Sequence, residues 1–338
     1  MIDSKVSKAL RGIAIIIVIM SHYAGWMPSD DPASVRAVIS EWGPYGVDIF
    51  FAISGYGLMR SAMKRGVDKR FILSRFLNSY LPYVITVGVL KLIQGGFLGI
   101  DRRGIVNYLI GYDYWYMMIQ FAFYAIFICA WLIDRTRKHM VALMIMTVMS
   151  LLMMWMLYTR SFTDFWILSD LAFVMGVGTA LAGGRIGKKS IWAASLISIA
   201  GMSGLHLLQN RISAVRTYNA SYGMMPVGDG FLDMKLPVAI GFNIFFTGAV
   251  ICVAVLLSKL LNDVTRKGDI VCLLLGILGE ASLFIYLIHT AVYWQVRVRM
   301  PEHGIVPVSL VAAIIAVAVS LVLNYLWTHL TSYMLKRS

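Results

Sequence analysis

The chain is predicted to be an all-α polytopic membrane bundle of about ten transmembrane helices, and three observations predict it. Its 338 residues are 59% hydrophobic and only 14% charged, with a mean hydropathy of +0.75, whereas soluble domains carry about 25% charged residues. The apolar residues gather in runs long enough to cross about 30 Å of hydrocarbon. Its 21 Met, 9 Trp and 17 Tyr suit helical spans with aromatic ends, not the alternation of a barrel in segments of about ten residues.

In chain order the runs lie near residues 8–26, 46–63, 76–98, 114–133, 140–158, 165–182, 190–208, 238–258, 270–294 and 305–333. With the N-terminus inside, basic residues crowd the inner segments: Lys5 and Lys8, the stretch from Arg60 to Arg75, Arg135 to Lys138, Arg185 to Lys189, Lys259 to Lys267, and Lys336 with Arg337. Fewer fall outside, which is the positive-inside bias. Both termini are therefore expected on the cytoplasmic side of a cell inner (plasma) membrane crossed many times.

The first run has a signal-peptide flavour, with Lys5 and Lys8 ahead of it, but it continues into Trp26-Met-Pro-Ser-Asp-Asp without a small-x-small site and reads as a retained helix. The longest connection, Gln209 to Pro237, is too short for a soluble catalytic domain, so residues 1–338 read as one transmembrane domain. No internal repeat stands out.

The net charge of +13 is accounted for by topology, so nucleic acid is not an expected partner, and membrane lipids are. Cys129, Cys252 and Cys272 lack CxxC spacing and read as packing residues, with no metal site and no disulfide framework. HExxH, GxSxG and P-loop patterns are absent, which removes the usual support for zinc hydrolases, α/β-hydrolases and nucleotide-driven pumps.

Ionisable groups at membrane depth are costly and usually functional. Arg11 and His22 share the first run. Eleven helical steps place them on one face about 16 Å apart, the reach of an extended pantetheine arm. A guanidinium near the inner surface holds phosphate well, and a deep imidazole can take a proton from a hydroxyl. The plain alternatives are a snorkelling anchor for Arg11 and a helix contact for His22.

The second run, Gly46-Val-Asp48-Ile-Phe-Phe-Ala-Ile-Ser54-Gly55-Tyr56-Gly57, descends from the outer face, so Asp48 is expected near the outer surface and Ser54 with Gly55 at mid-depth. Small residues there admit a ligand or another helix. The basic stretch from Arg60 to Arg75 suits a polyanionic substrate such as coenzyme A, or equally anionic lipid.

The ninth run carries Glu280 and, nine residues on, His289. A mid-membrane carboxylate needs a partner, and His22 lies at comparable depth. Half a turn separates His289 from Glu280, so His289 reads as an outer-end packing residue, with a role in acceptor handling as the lesser alternative. Tyr114, Trp115 and Tyr116 beside Asp113 offer stacking faces and a carboxylate for a sugar, although aromatic belts have the same composition.

Taken together these residues resemble the acyltransferase-3 family of integral membrane O-acyltransferases, which acylate cell-surface polysaccharides and related acceptors. The resemblance rests on Leu10-Arg11-Gly12 followed by His22, on Gly46-Val-Asp48-Ile-Phe-Phe with Ser54-Gly55-Tyr56, on Arg75 before Pro82, on Trp115-Tyr116, and on Ser282 to His289. It implies transfer of an acyl group, commonly acetyl, from cytoplasmic acyl-CoA to a hydroxyl of an extracytoplasmic glycan, with no permanently bound cofactor.

It further implies His22 as base or acyl relay with Glu280 in support, Arg11, Ser54, Gly55 and Arg75 on the donor, and Asp48, Tyr56, Trp115 and Tyr116 toward the acceptor. The family often has a second arginine three residues after the first; here that position is Asn78, with Arg70 the nearby alternative. The outer segment 209–237, with Arg211, Arg216, Tyr218, Tyr222 and Asp229, is where acceptor selectivity is expected. The competing reading is a transporter or exporter of a glycan or lipid-linked sugar, in which the same buried groups line a path without acyl chemistry.

Overall fold

In the computed structural model the described residues are 1–26, 35–96, 99–134, 136, 138–160, 162, 166–183, 187–211, 235–263 and 270–337. They form thirteen α-helices: α1 Ser4–Gly25, α2 Val35–Ser40, α3 Gly43–Arg65, α4 Lys69–Arg75, α5 Leu81–Ile93, α6 Arg102–Ile110, α7 Trp115–Ile133, α8 Met140–Thr159, α9 Asp170–Ala182, α10 Lys188–Arg211, α11 Lys235–Asp263, α12 Ile270–Arg299 and α13 Ile305–Arg337. Each of the ten predicted runs overlaps one of these helices, and no strand occurs among the described residues.

Among the described residues, eight helical segments are long and apolar enough to cross a bilayer. The two predicted runs outside that set differ for separate reasons. Helix α3 has the length, but its Gly, Ser and charged residues dilute its hydropathy, and α9 has only 13 residues.

Local chemistry sets the helix ends. The Asp3 carboxylate accepts from the Lys5 N–H at 2.8 Å to start α1, Pro44 sits in the first turn of α3, and Gly66 stops that helix. Asp68 caps α4 by accepting from the Phe71 N–H at 2.7 Å. The basic stretch read as an inner connection is thus partly helix, because Lys69, Arg70 and Arg75 all lie on α4. From α4 the chain passes through a π-helical turn, Phe76–Tyr80, into α5, whose first turn holds Pro82. Proline lacks the N–H that would bond back to residue 78, and the wider turn accommodates that loss.

Outward-facing positions are apolar and inward ones small, as lipid requires. On α13, Val308, Ala312, Ala316 and Ser320 are buried at four-residue spacing while Leu310, Ile314, Val322 and Leu326 are exposed. Helix α1 sits centrally, packed most extensively on α12 and also on α3. Helix α3 in turn packs on α9, α12 on α13, and α10 on α11.

Glycines make the crossings close. A Cβ on Gly279 would collide with the Lys8 carbonyl and the Gly12 backbone, and one on Gly12 with the Leu275 carbonyl. At the α3–α9 crossing Gly55 meets Phe173 and Gly176 meets Ala52 in the same way. Phe123 lies between the rings of Phe173 (4.6 Å between centroids) and Phe51 (5.3 Å) and fills the space beside that crossing.

Candidate functional site

Helices α1 and α12 run parallel in a constant register. Gly279 lies against Lys8 and Gly12, and ten residues further along both helices His22 Nδ1 is 2.8 Å from His289 Nε2. The two imidazoles are coplanar within 1°, with centroids 5.0 Å apart. At that separation with nitrogens at 2.8 Å, the rings meet edge to edge in plane, as hydrogen bonding requires, rather than face to face.

His289 is sealed inside at 1% exposure, while His22 is half-buried. His289 Nδ1 faces the carbonyls of Tyr286 at 2.8 Å and Ile285 at 3.1 Å. The Tyr23 hydroxyl donates to the His289 carbonyl at 3.2 Å. Trp26, one turn beyond His22, lies nearly parallel to it at 5.6 Å between centroids, and Tyr293 closes on Trp26 at 4.9 Å.

About 16 Å back along α1, the half-buried Arg11 faces Tyr116, Tyr124, Glu280 and Arg75 within electrostatic reach. Tyr116 bonds the Ser54 hydroxyl, stacks on Phe51 at 5.1 Å and meets the Tyr286 ring at 5.2 Å. Four helices, α1, α3, α4 and α7, therefore bring Arg11, Ser54, Arg75, Tyr116 and Tyr124 within reach of one another. The Nε atoms of Arg11 and Arg75 are buried without a hydrogen-bond partner. Two guanidinium groups gathered in this way repel one another and leave N–H groups unsatisfied, a combination suited to a bound polyanion. Asn78 is exposed and donates back from the π-helical turn to the Ser74 carbonyl of α4 at 2.8 Å.

This arrangement belongs to a known family. A family model described as an acyltransferase domain, Acyl_transf_3, matches residues 7–326. The chain belongs to the acyltransferase-3 family. No curated protein and no solved structure matches it. The protein is therefore a membrane acyltransferase.

The remaining sequence candidates do not join the histidine pair. Glu280 does not meet His22. It pairs with Lys8 at 2.5 Å with its side chain 48% exposed, nine residues and about 13 Å of helix short of the histidine pair, so the partner expected for it is replaced by a lysine. Asp48 sits in the second turn of α3 and is turned into the bundle at 1% exposure, where it faces Ser169 and Asp170 at the start of α9. Gly55 is taken up by the backbone of α9. Trp115 turns away from Tyr116 toward Trp166, 6.0 Å between centroids, because adjacent helical residues point about 100° apart.

Tyr56 ties down the N-terminus. Its hydroxyl accepts from the Ile2 N–H at 2.9 Å and donates to the Ile2 carbonyl at 3.3 Å. Tyr56→Phe is accordingly expected to cost about 1 kcal/mol of stability and to leave acceptor affinity unchanged, measured as unfolding in detergent alongside acceptor KM. Most of segment 209–237, namely 212–234 with Arg216, Tyr218, Tyr222 and Asp229, lies outside the described residues.

His289 is the functional candidate that sequence reasoning ranked mainly as packing, without pairing it to His22. A signal for it was present: Gly12 precedes His22 by ten residues and Gly279 precedes His289 by ten, on two runs predicted to cross the membrane in the same direction. Tyr124 was also missed, and nothing local distinguishes it from the other aromatics of α7.

Proposed function

We propose that this family member is a membrane O-acyltransferase. It takes an acyl group, acetyl in the simplest case, from cytoplasmic acyl-CoA and passes it to a hydroxyl of an extracytoplasmic glycan, with both termini cytoplasmic. The observation that carries this reading is the pair of unpartnered guanidinium nitrogens on Arg11 and Arg75, with Arg11 on the same face of α1 as His22 and about a pantetheine's length from it. The coenzyme phosphates pair with Arg11 and Arg75, and the thioester reaches up α1 toward His22.

The thioester is already activated, so the protein has three tasks: to align the reactants, remove the hydroxyl proton and stabilise the oxyanion. His22 takes the proton as the hydroxyl oxygen bonds to the carbonyl carbon. The carbon–sulfur bond then breaks, and the proton passes to the leaving thiolate. The products are an ester and free coenzyme A.

The deciding experiment incubates purified protein in lipid nanodiscs with acetyl-CoA labelled in the acetyl group and follows release or transfer of label. Consumption of the thioester is expected. A protein that neither binds nor consumes acetyl-CoA or a longer acyl-CoA would overturn the reading. In the same assay Arg11→Ala and Arg75→Ala are each expected to raise the KM for acyl-CoA by roughly tenfold to a hundredfold, the loss of one charge-assisted contact, with a smaller change in kcat.

A further inference from the structure

We infer that His289 is a positioning residue: it holds His22 in the neutral tautomer whose Nε2 is bare and able to accept a proton. The inference rests on the acyl-transfer reading above and adds to it the group that sets the state of its base.

The argument starts at the buried end of the chain of contacts. His289 Nδ1 lies 2.8 Å from the Tyr286 carbonyl and 3.1 Å from that of Ile285. Carbonyls only accept, so Nδ1 must carry a hydrogen. A neutral imidazole has one N–H, which leaves His289 Nε2 as an acceptor. That Nε2 faces His22 Nδ1 at 2.8 Å with the rings coplanar, and one of two nitrogens so placed must be the donor. His22 therefore carries its hydrogen on Nδ1, and its Nε2 keeps a lone pair. The Thr290 hydroxyl, 3.4 Å from His289 Nε2, is longer and less well placed than the His22 contact.

Two backbone carbonyls of α12 thus propagate a hydrogen-bond direction through one imidazole into the next. Burial grades the roles in the same order, with His289 at 1% exposure and His22 half-buried. When His22 Nε2 takes the proton of the attacking hydroxyl, the ring becomes cationic. Its Nδ1–H bond to His289 then becomes charge-assisted and stronger. The orienting partner is a neutral ring, where a catalytic triad uses a carboxylate for the same purpose. Without it His22 samples the other tautomer, whose Nε2–H cannot accept a proton, and its ring is free to turn.

The test combines a spectroscopic reading that does not depend on turnover with an activity series. Protein labelled with 15N-histidine is reconstituted in lipid, and solid-state NMR reports which nitrogen of each ring bears hydrogen; His22→Ala assigns the His22 signals by their loss. Wild type is expected to show His22 and His289 both neutral and both protonated at Nδ1. In His289→Leu the His22 signals are expected to divide between tautomers. His289→Gln, whose side-chain oxygen can still accept from Nδ1–H, is expected to keep the wild-type pattern.

Acetyl-CoA turnover should fall about a hundredfold in His289→Leu and stay within about tenfold of wild type in His289→Gln. A wild-type spectrum with the His22 proton on Nε2 overturns the inference, as does a His289→Leu protein with wild-type turnover. Should His289→Leu fail to fold, the wild-type spectrum and His289→Gln decide. If no acyl-CoA is consumed by any form, the acyl-transfer reading falls, and the catalytic role of His289 falls with it, even where the tautomers are as described.

Discussion

His22→Ala is expected to lower acyl-CoA consumption by about a thousandfold while leaving a folded protein. General-base catalysis contributes typically 10²–10⁴-fold, and no second histidine is placed to substitute. His289 stands behind His22, sealed at 1% exposure, with its remaining nitrogen occupied by the carbonyls of Tyr286 and Ile285. Removing the imidazole leaves one buried acceptor without its donor, a cost of about 1–3 kcal/mol, and opens space beside Trp26. Because His22 is half-buried, water can refill part of that space. The expected pattern is therefore a large loss of turnover with a small fall in unfolding temperature, measured on one preparation by release of labelled acetate and by thermal unfolding in detergent. Turnover within tenfold of wild type would remove His22 from the chemistry.

The second large effect is expected from one methyl group far from the histidines. Gly279→Ala puts a Cβ against the Lys8 carbonyl and the Gly12 backbone. Neither is a flexible side chain that could swing aside, so α1 and α12 must separate. Overpacking costs typically 1–3 kcal/mol, and the upper end is expected, about 3 kcal/mol, because both obstacles are main chain. The same shift travels ten residues up a parallel helix pair to the His22–His289 contact, whose in-plane geometry tolerates little displacement. Activity should fall more than tenfold even in the fraction that stays folded. Gly57→Ala, whose Cβ would meet nothing within 4 Å, is the matched control and should resemble wild type. Equal behaviour of the two variants would refute the close crossing.

Much of the bundle was legible because lipid imposes one-dimensional rules. A span needs about twenty apolar residues, and its backbone must bond to itself, so hydropathy along the chain located every one of the ten runs. It could not locate α2 and α6, which lie outside those runs, nor the continuation of helix backward through Lys69–Arg75, where basic side chains hide a helical backbone capped by Asp68. Nor did it show that α9 would be only 13 residues long.

The candidate site divides along the same line. Rise per residue gives depth, so Arg11 and His22 could be set on one face of one helix about 16 Å apart from the sequence. Lateral neighbours are another matter, because they depend on how each helix is rotated and on which helices touch. Depth alone suggested a carboxylate for His22, yet Glu280 pairs with Lys8 and the ring partner is His289, 267 positions away. Asp48 went inward to α9, Tyr56 to the N-terminal backbone, and Trp115 and Tyr116, neighbours in sequence, went to different partners. The sequence by itself determined an all-helical membrane protein of the acyltransferase-3 kind and the axial positions of its ionisable groups. The tertiary structure decided which of them meet, because contacts between helices are selected by close glycine crossings and side-chain packing that no single helix encodes.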